Sequence, residues 1–237
     1  MNFTNVRVSN FENALRGMRN PKESYHLIDS YFGIDCDTEN AIARTDYRGF
    51  VELYRDRECF EFASIGPNDM RLARNLIRAG SEHRKFLRQI QVSIDITAPL
   101  YWWKEFDTYK VGTTANSTST MHKITSKPIT IDCFEIDDFN EINFDHASEI
   151  DMIIHYLEKL RLVYLDTKDP KYWKELIRWL PESWLQTRTI TMNYENLYTI
   201  VRQRSHHKLT EWHSFIKFIR TLPYASEFIF DEDSVEE

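Results

Sequence analysis

The stretch from Gly112 to Thr120 reads Gly-Thr-Thr-Ala-Asn-Ser-Thr-Ser-Thr, nearly all small hydroxyl or amide side chains. Backbone N–H groups of such residues approach an anion closely, and the hydroxyls add further donors. Lys104, Lys110 and Lys123 flank it, so the residue types suit a phosphate. An exposed polar loop following a helix has the same composition. Further along, Arg202-Gln203-Arg204-Ser205-His206-His207-Lys208 gathers cations at the end of a helical pattern. Adjacent histidines on a helix point about 100° apart, which is poor geometry for one metal ion. A basic helix end facing the macrodipole is the plainer reading. Tyr101, Trp102 and Trp103 offer either a ring-stacking pocket or core packing, while Asp137, Asp138 and Glu141 lack a metal-site framework.

These residues need a scaffold, and the composition describes one. The chain has 237 residues, 42% hydrophobic and 28% charged, which is globular. Aromatic residues reach 14% against only six Gly and seven Pro, favouring long regular elements over a loop-rich scaffold. Lys and Arg total 30 against 37 Asp and Glu, a formal charge of −7. No global field therefore recruits nucleic acid or an anionic membrane, and a phosphate ligand needs a local basic pocket. Cys36, Cys59 and Cys133 stand far apart, as expected for reduced thiols rather than a disulfide framework or zinc site. With neither a signal-length apolar core at the N-terminus nor an 18-residue apolar run, the expected compartment is the cytoplasm.

Periodicity places the elements. Residues 1–50 are mixed, with a helical candidate from Glu23 to Phe32 and a turn-prone stretch at Asp35–Asn40. Segments 50–55 and 58–63 read as short strands. Gly66-Pro67-Asn68 opens a helix carrying Met70, Ala73, Leu76 and Ile77, and Gly80 stops it. Ile90, Val92, Ile94 and Ile96 alternate with polar residues, a period of two that marks a strand with one buried face, ended by Pro99. Beyond residue 145 the pattern is helical. Ser148 is the expected cap of a helix with Ile150, Ile153, Ile154, Leu157, Leu160 and Tyr164 inward. Asp169-Pro170 starts a second, with Trp173, Leu176, Ile177 and Leu180 inward, and Asn193 caps a third through Arg204. A fourth carries Leu209, Trp212, Phe215, Ile216 and Ile219. Without repeated βαβ alternation, the fold class is α+β, a mixed or antiparallel sheet flanked by long helices. One domain over residues 1–230 and an acidic tail over 231–237 are expected.

The order of these elements, over roughly residues 65–220, resembles the flavin-dependent thymidylate synthases, which methylate dUMP with FAD, NADPH and methylenetetrahydrofolate. The family signature runs from a Gln-Trp pair to Arg-His-Arg and then Ser-x-Asn-x-x-Ser-x-Arg-Tyr. Here Lys104-Glu105-Phe106 stands in the place of Arg-Gln-Trp, and Thr108-Tyr109-Lys110 in that of Arg-His-Arg. With one inserted residue, Thr114-x-Asn116-x-x-Ser119-x-Met121-His122 follows the second half. Leu180-Pro181, Thr191-Met192-Asn193, Leu197 and Arg204 lie at the family spacing, and Leu76-Ile77-Arg78-Ala79-Gly80 matches its helix–Gly element. The chain departs from the pattern at the Arg-His-Arg core, at Met121 for Arg, at Glu195 for a flavin-contacting Arg, and at Thr199 for a flavin-contacting Asn.

The resemblance implies a reductive methylation in which the flavin carries the reducing equivalents and the protein positions a dianionic nucleotide. It implies that Thr114, Asn116, Ser117 and Ser119 hold phosphate, with Lys104 or Lys110 as counter-charge. Arg204 would bond the pyrimidine carbonyl as the catalytic candidate, with Arg188 or Arg202 as further cations. Thr108, Tyr109 and Asn193 are implied cofactor-binding residues, as is His83, which lies near the His expected after the Gly helix, where Gln89 aligns without gaps. The family builds its sites between subunits of a homotetramer, so a homo-oligomer is implied too. A nucleotide-binding descendant that has lost the flavin, or one that modifies another pyrimidine nucleotide, remains compatible with the same residues.

Overall fold

A computed structural model of the chain describes residues 1–35, 52–53, 60–136 and 146–231. The elements, in chain order, are β1 (Asn2–Ser9), α1 (Phe11–Arg19), β2 (Tyr31–Asp35), β3 (Glu52–Leu53), β4 (Phe60–Ser64) and α2 (Pro67–Arg78). Next come β5 (Gln91–Pro99), α3 (Leu100–Phe106), β6 (Thr114–Ser117) and α4 (Thr120–Lys123). The last are α5 (His146–Thr167), α6 (Pro170–Arg178), β7 (Leu185–Asn193), α7 (Tyr194–Arg204), α8 (Thr210–Ile219) and α9 (Ala225–Phe228). One four-stranded sheet has the order β1-β5-β7-β6, and a three-stranded antiparallel sheet has the order β2-β4-β3. The class is α+β, as the sequence indicates. No helix among the described residues is long and apolar enough to cross a membrane.

The chain divides into two compact units, one of Met1–Phe3, Asp95–Thr108 and Ala115–Thr189, the other of Thr4–Ile94, Tyr109–Thr114 and Ile190–Glu237. In the first unit, α5 and α6 close over a core of Ile124, Ile129, Phe134, Leu157, Leu160 and Leu176, with Trp173, Ile177, Leu180 and Trp184 packed against it. Asp169 caps α6 through its carboxylate, which accepts from the Lys171 N–H at 3.0 Å, and Pro170 follows at the position that needs no donor. Arg161 forks onto Glu158 at 2.7 and 2.5 Å and also donates to the Thr125 carbonyl at 3.2 Å. That fork pulls the Glu158 carboxyl below the ordinary carboxylate range. Trp102 and Trp103 are both fully buried and meet edge to face at 4.9 Å, so they are core and not a ring-stacking pocket.

In the second unit, α1, α2, α7, α8 and α9 bury Phe11, Leu15, Ile77, Phe86, Tyr194, Leu197, Phe215 and Phe228. Phe11 meets the Tyr194 ring at 5.8 Å, and Phe86 meets Phe228 edge to face at 5.6 Å. The N-terminus of α2 has no side-chain cap of its own, since Gly66 and Pro67 open it. Asp29 supplies one from a distance, accepting from the Asn68 and Asp69 N–H groups at 2.8 and 3.0 Å. Asp69 is itself fully buried and accepts from Arg19 at 2.6 Å, from the Ser30 hydroxyl at 2.6 Å, and from the N–H groups of Asp29 and Ser30.

Four sequence expectations are corrected. Glu23 to Phe32 is not a helix: Glu23 takes a left-handed φ of 48°, a short 3-10 turn covers Tyr25–Leu27, and Tyr31 already belongs to β2. That backbone is set by Asp29 and Ser30 bonding to α2, a tertiary demand that outweighs local propensity. Ser148 sits inside the first turn of α5 rather than capping it. Ile153 of the same helix is 47% exposed, because the buried side there runs through Ile154, Leu157 and Leu160. The hydroxyl-rich segment is not wholly loop: Thr114–Ser117 forms the edge strand β6, drawn into extended backbone by β7 beside it. Cys36, Cys59, Asp137, Asp138, Glu141 and the tail beyond Asp231 lie outside the described residues.

Candidate functional site

Strand β6 leaves all four of its residues exposed, so Thr114, Asn116 and Ser117 face solvent at a sheet edge. An edge strand presents backbone donors and acceptors that no neighbouring strand uses. Thr118 follows, its N–H donating to the Thr187 carbonyl at 2.8 Å. Ser119 caps α4, its Oγ accepting from the His122 N–H at 3.1 Å. Gln186 braces this turn by donating to the Thr118 carbonyl at 3.0 Å and to Thr120 at 3.3 Å. The hydroxyl segment is thus held at its far end and open at β6.

Two candidate cations of the first unit, Lys104 and Arg188, are engaged by acids. Lys104, on α3, is exposed and pairs with Glu182 at 2.6 Å. Arg188, on β7, donates to Gln186 at 2.9 Å and to Asp107 at 2.8 Å, and its guanidinium lies 4.3 Å from the Trp103 ring. Arg188 is therefore a fixed, partly neutralised cation. Thr108 is exposed and turns its hydroxyl onto the Glu105 carbonyl at 2.8 Å.

In the second unit, helix α7 organises the remaining residues. Asn193 caps it in a reciprocal box: its side chain accepts from the Asn196 N–H at 3.0 Å, and the Asn196 side chain accepts from the Asn193 N–H at 3.1 Å. Asn196 also donates to the Val111 carbonyl at 2.8 Å, tying the 109–113 segment to the start of the helix. Gly112, φ +77°, belongs there because an added Cβ would stand 3.2–3.3 Å from the Asn193 and Asn196 amides. Lys110 and His83 are exposed, the latter just before a short 3-10 turn over Arg84–Arg88.

Arg204 closes the same helix and is half-buried. Its Nε donates to the Tyr109 hydroxyl at 2.8 Å, and that hydroxyl donates onward to Gln203 Oε1 at 3.0 Å. The guanidinium lies 4.8 Å from the ring of Trp212, which is fully buried and packs edge to face on Tyr109 at 5.9 Å. The structure thus brings together two sequence candidates, Tyr109 and Arg204, through a contact 95 residues apart. His207 is drawn into the same group, its ring 6.2 Å from Trp212 and its Nδ1 accepting from the Leu209 N–H.

Glu195 has a partner that sequence reasoning missed. Arg84 Nε donates to both of its oxygens, at 3.1 and 2.9 Å, with both side chains largely buried. The Arg84 guanidinium lies 4.1 Å from the Tyr198 ring, and Arg202 lies 3.3 Å from the same ring while donating to the Ile229 carbonyl at 2.8 Å. Burial lowers the Arg202 guanidinium from its ordinary value, and the charge of Arg84 adds to that. An acid standing where the resembled pattern has a flavin-contacting Arg was the one signal that pointed to a nearby cation.

No protein-family model matches the chain, and no curated protein matches it in sequence. Solved structures match it in fold. A flavin dependent thymidylate synthase ThyX from Helicobacter pylori, complexed with FAD and dUMP, superposes with a TM-score of 0.63 at 14% identity, covering 98% of each chain. A second structure of that organism's ThyX with FAD and dUMP gives 0.62 at 15% identity, again over 98% of both chains. Identity this low speaks for architecture alone: the chain has the α+β fold of the flavin-dependent thymidylate synthases.

Proposed function

We propose that this chain is a divergent flavin-dependent thymidylate synthase-like enzyme acting on a pyrimidine deoxynucleotide, with dUMP as the substrate to test first. The observation that carries the reading is the fold match over 98% of both chains to an enzyme holding FAD and dUMP. The donors present suit such ligands. Exposed hydroxyls and amides at β6 answer a phosphate, Arg204 is a fixed guanidinium, and Arg84 keeps a cation beside Glu195. On this reading residues 1–230 work as one domain, in a cytoplasmic homotetramer using NADPH and methylenetetrahydrofolate.

When bound, FAD supplies the reducing equivalents that this chain's side chains lack. His83, Thr108, Tyr109 and Asn193 are the residues proposed to hold it. Thr114, Asn116, Ser117 and Ser119 bond the nucleotide phosphate, and Lys104 and Lys110 offset its charge. Lys is a point charge here, so orientation comes from the hydroxyl and amide donors. Arg204 donates to a pyrimidine carbonyl and stabilises charge that develops there.

A second reading, a nucleotide-binding protein of this fold without the flavin, has its own support. The Asn193 side chain is occupied by the α7 cap, and Glu195 is tied to Arg84. Tritium release from C5-labelled dUMP, with FAD, NADPH and methylenetetrahydrofolate present, separates the two. Release supports the enzyme. No release, with calorimetric binding of dUMP in the absence of flavin, favours the second reading.

A further inference from the structure

We propose that Tyr109 is the positioning residue for Arg204, a role separate from any contact it makes with a cofactor. The inference rests on the nucleotide reading above, in which Arg204 donates to a pyrimidine carbonyl. An arginine at the end of a helix ordinarily carries the rotamer freedom of a long side chain, and freezing it on binding weakens the complex. Here the freezing has already happened. The phenol oxygen accepts from Arg204 Nε at 2.8 Å and passes its own proton to Gln203 Oε1 at 3.0 Å, so one hydroxyl is both acceptor and donor in a directed chain. Trp212 supplies the face against which the guanidinium lies, at 4.8 Å.

The placement of Tyr109 is fixed just as firmly. Its backbone carbonyl accepts from the Thr113 hydroxyl. Two residues on, the Val111 carbonyl is held by Asn196, one turn into α7. Helix α7 therefore grips the 109–113 segment at both ends, through Asn196 near its start and through Gln203 and Arg204 at its finish. In the resembled signature a histidine stands at this place. A phenol reaches farther, and its oxygen accepts a bond from a guanidinium, which a protonated imidazole does not. The substitution thus reads as a device for orienting Arg204.

Calorimetric titration of dUMP into four proteins tests this: wild type, Tyr109→Phe, Arg204→Ala and the double variant. Phe keeps the ring against Trp212 and removes only the oxygen, so folding is preserved. Tyr109→Phe should weaken dUMP binding by about 3–10-fold, the loss expected for one side chain that must be immobilised on binding. The same change should do nothing once Arg204 is Ala. An equal loss in both backgrounds, or no loss in the first, overturns the proposal. A second readout needs no ligand: the Arg204 Nε–H signal in nitrogen-15 spectra should be slow to exchange in wild type and fast in Tyr109→Phe. If wild type takes no dUMP, the proposed function fails on its own account. The Nε signal then decides the Tyr109 proposal by itself, and unchanged exchange refutes it.

Discussion

Replacing Asp69 with Asn removes a charge and almost no volume, at a residue that is fully buried. Its oxygens accept from Arg19, from the Ser30 hydroxyl and from two backbone N–H groups, and Arg19 is only 3% exposed. In Asp69→Asn the guanidinium stays buried without the carboxylate charge, and the amide NH2 must face either Arg19 or the three donors of Ser30 and Asp29, while the Ser24 carbonyl accepts from Arg19 only at 3.5 Å. Stranding a buried charge in this way costs about 3–5 kcal/mol. Arg19→Met strands the other partner, but Asp69 then still has three donors from Ser30 and Asp29. Each such charged bond is worth about 1.5–3 kcal/mol, so the Arg19 variant should lose less. Urea unfolding followed by circular dichroism reads both. With a slope of about 2–3 kcal/mol/M, the Asp69→Asn midpoint should fall by about 1–2 M. A loss under about 1 kcal/mol, or a larger loss for Arg19→Met, would falsify the idea that this pair and its donors hold the N-terminal segment onto α2.

Further outcomes follow from other contacts. The Arg161 fork holds the Glu158 carboxyl below its ordinary value, so this group adds stability above the unfolded carboxylate pKa and loses it as pH falls through the lowered folded one. Denaturation midpoints at neutral and strongly acid pH should therefore drop less in Glu158→Gln than in wild type; an equal drop removes the pair from the acid response. Tyr194 is buried and its phenol is pushed well above the ordinary tyrosine range by burial, so its contribution holds below the unfolded pKa and fades as pH rises beyond it. Tyr194→Phe, which leaves the Pro223 carbonyl without its 2.6 Å donor, should cost about 1–2 kcal/mol at neutral pH in thermal unfolding. Gly112→Ala forces a Cβ toward Asn193 and Asn196 at a left-handed φ, and should cost about 1–2 kcal/mol and weaken dUMP binding; a variant as stable as wild type contradicts that packing.

Much of the scaffold was legible because its signals are local. Strand β5 buries every second residue from Val92, α6 opens on Asp169-Pro170, and Asn193 caps α7. Strand β7 was not legible, since its buried positions include Gln186, a polar residue satisfied by bonds to Thr118 and Thr120 that no spacing reveals. Helix α1 is a weak sequence signal although Phe11, Ala14, Leu15 and Met18 sit at helical spacing, because it has only nine residues and Asn10 before it takes a left-handed backbone and makes no side-chain cap. The candidate site was visible as residue types and not as partners. Tyr109 meets Arg204 across 95 residues and Arg84 meets Glu195 across 111, so only the fold joins them. The polar segment after Gly112 looked like a loop because Thr, Asn and Ser favour turns, while pairing beside β7 makes part of it a strand.

The central claim is that this fold still works with a flavin. The absorbance spectrum of the freshly purified protein, taken before and after incubation with FAD and desalting, tests it most directly. Flavin bands that survive desalting and shift when dUMP is added are the predicted result. A protein that stays colourless through both steps contradicts it.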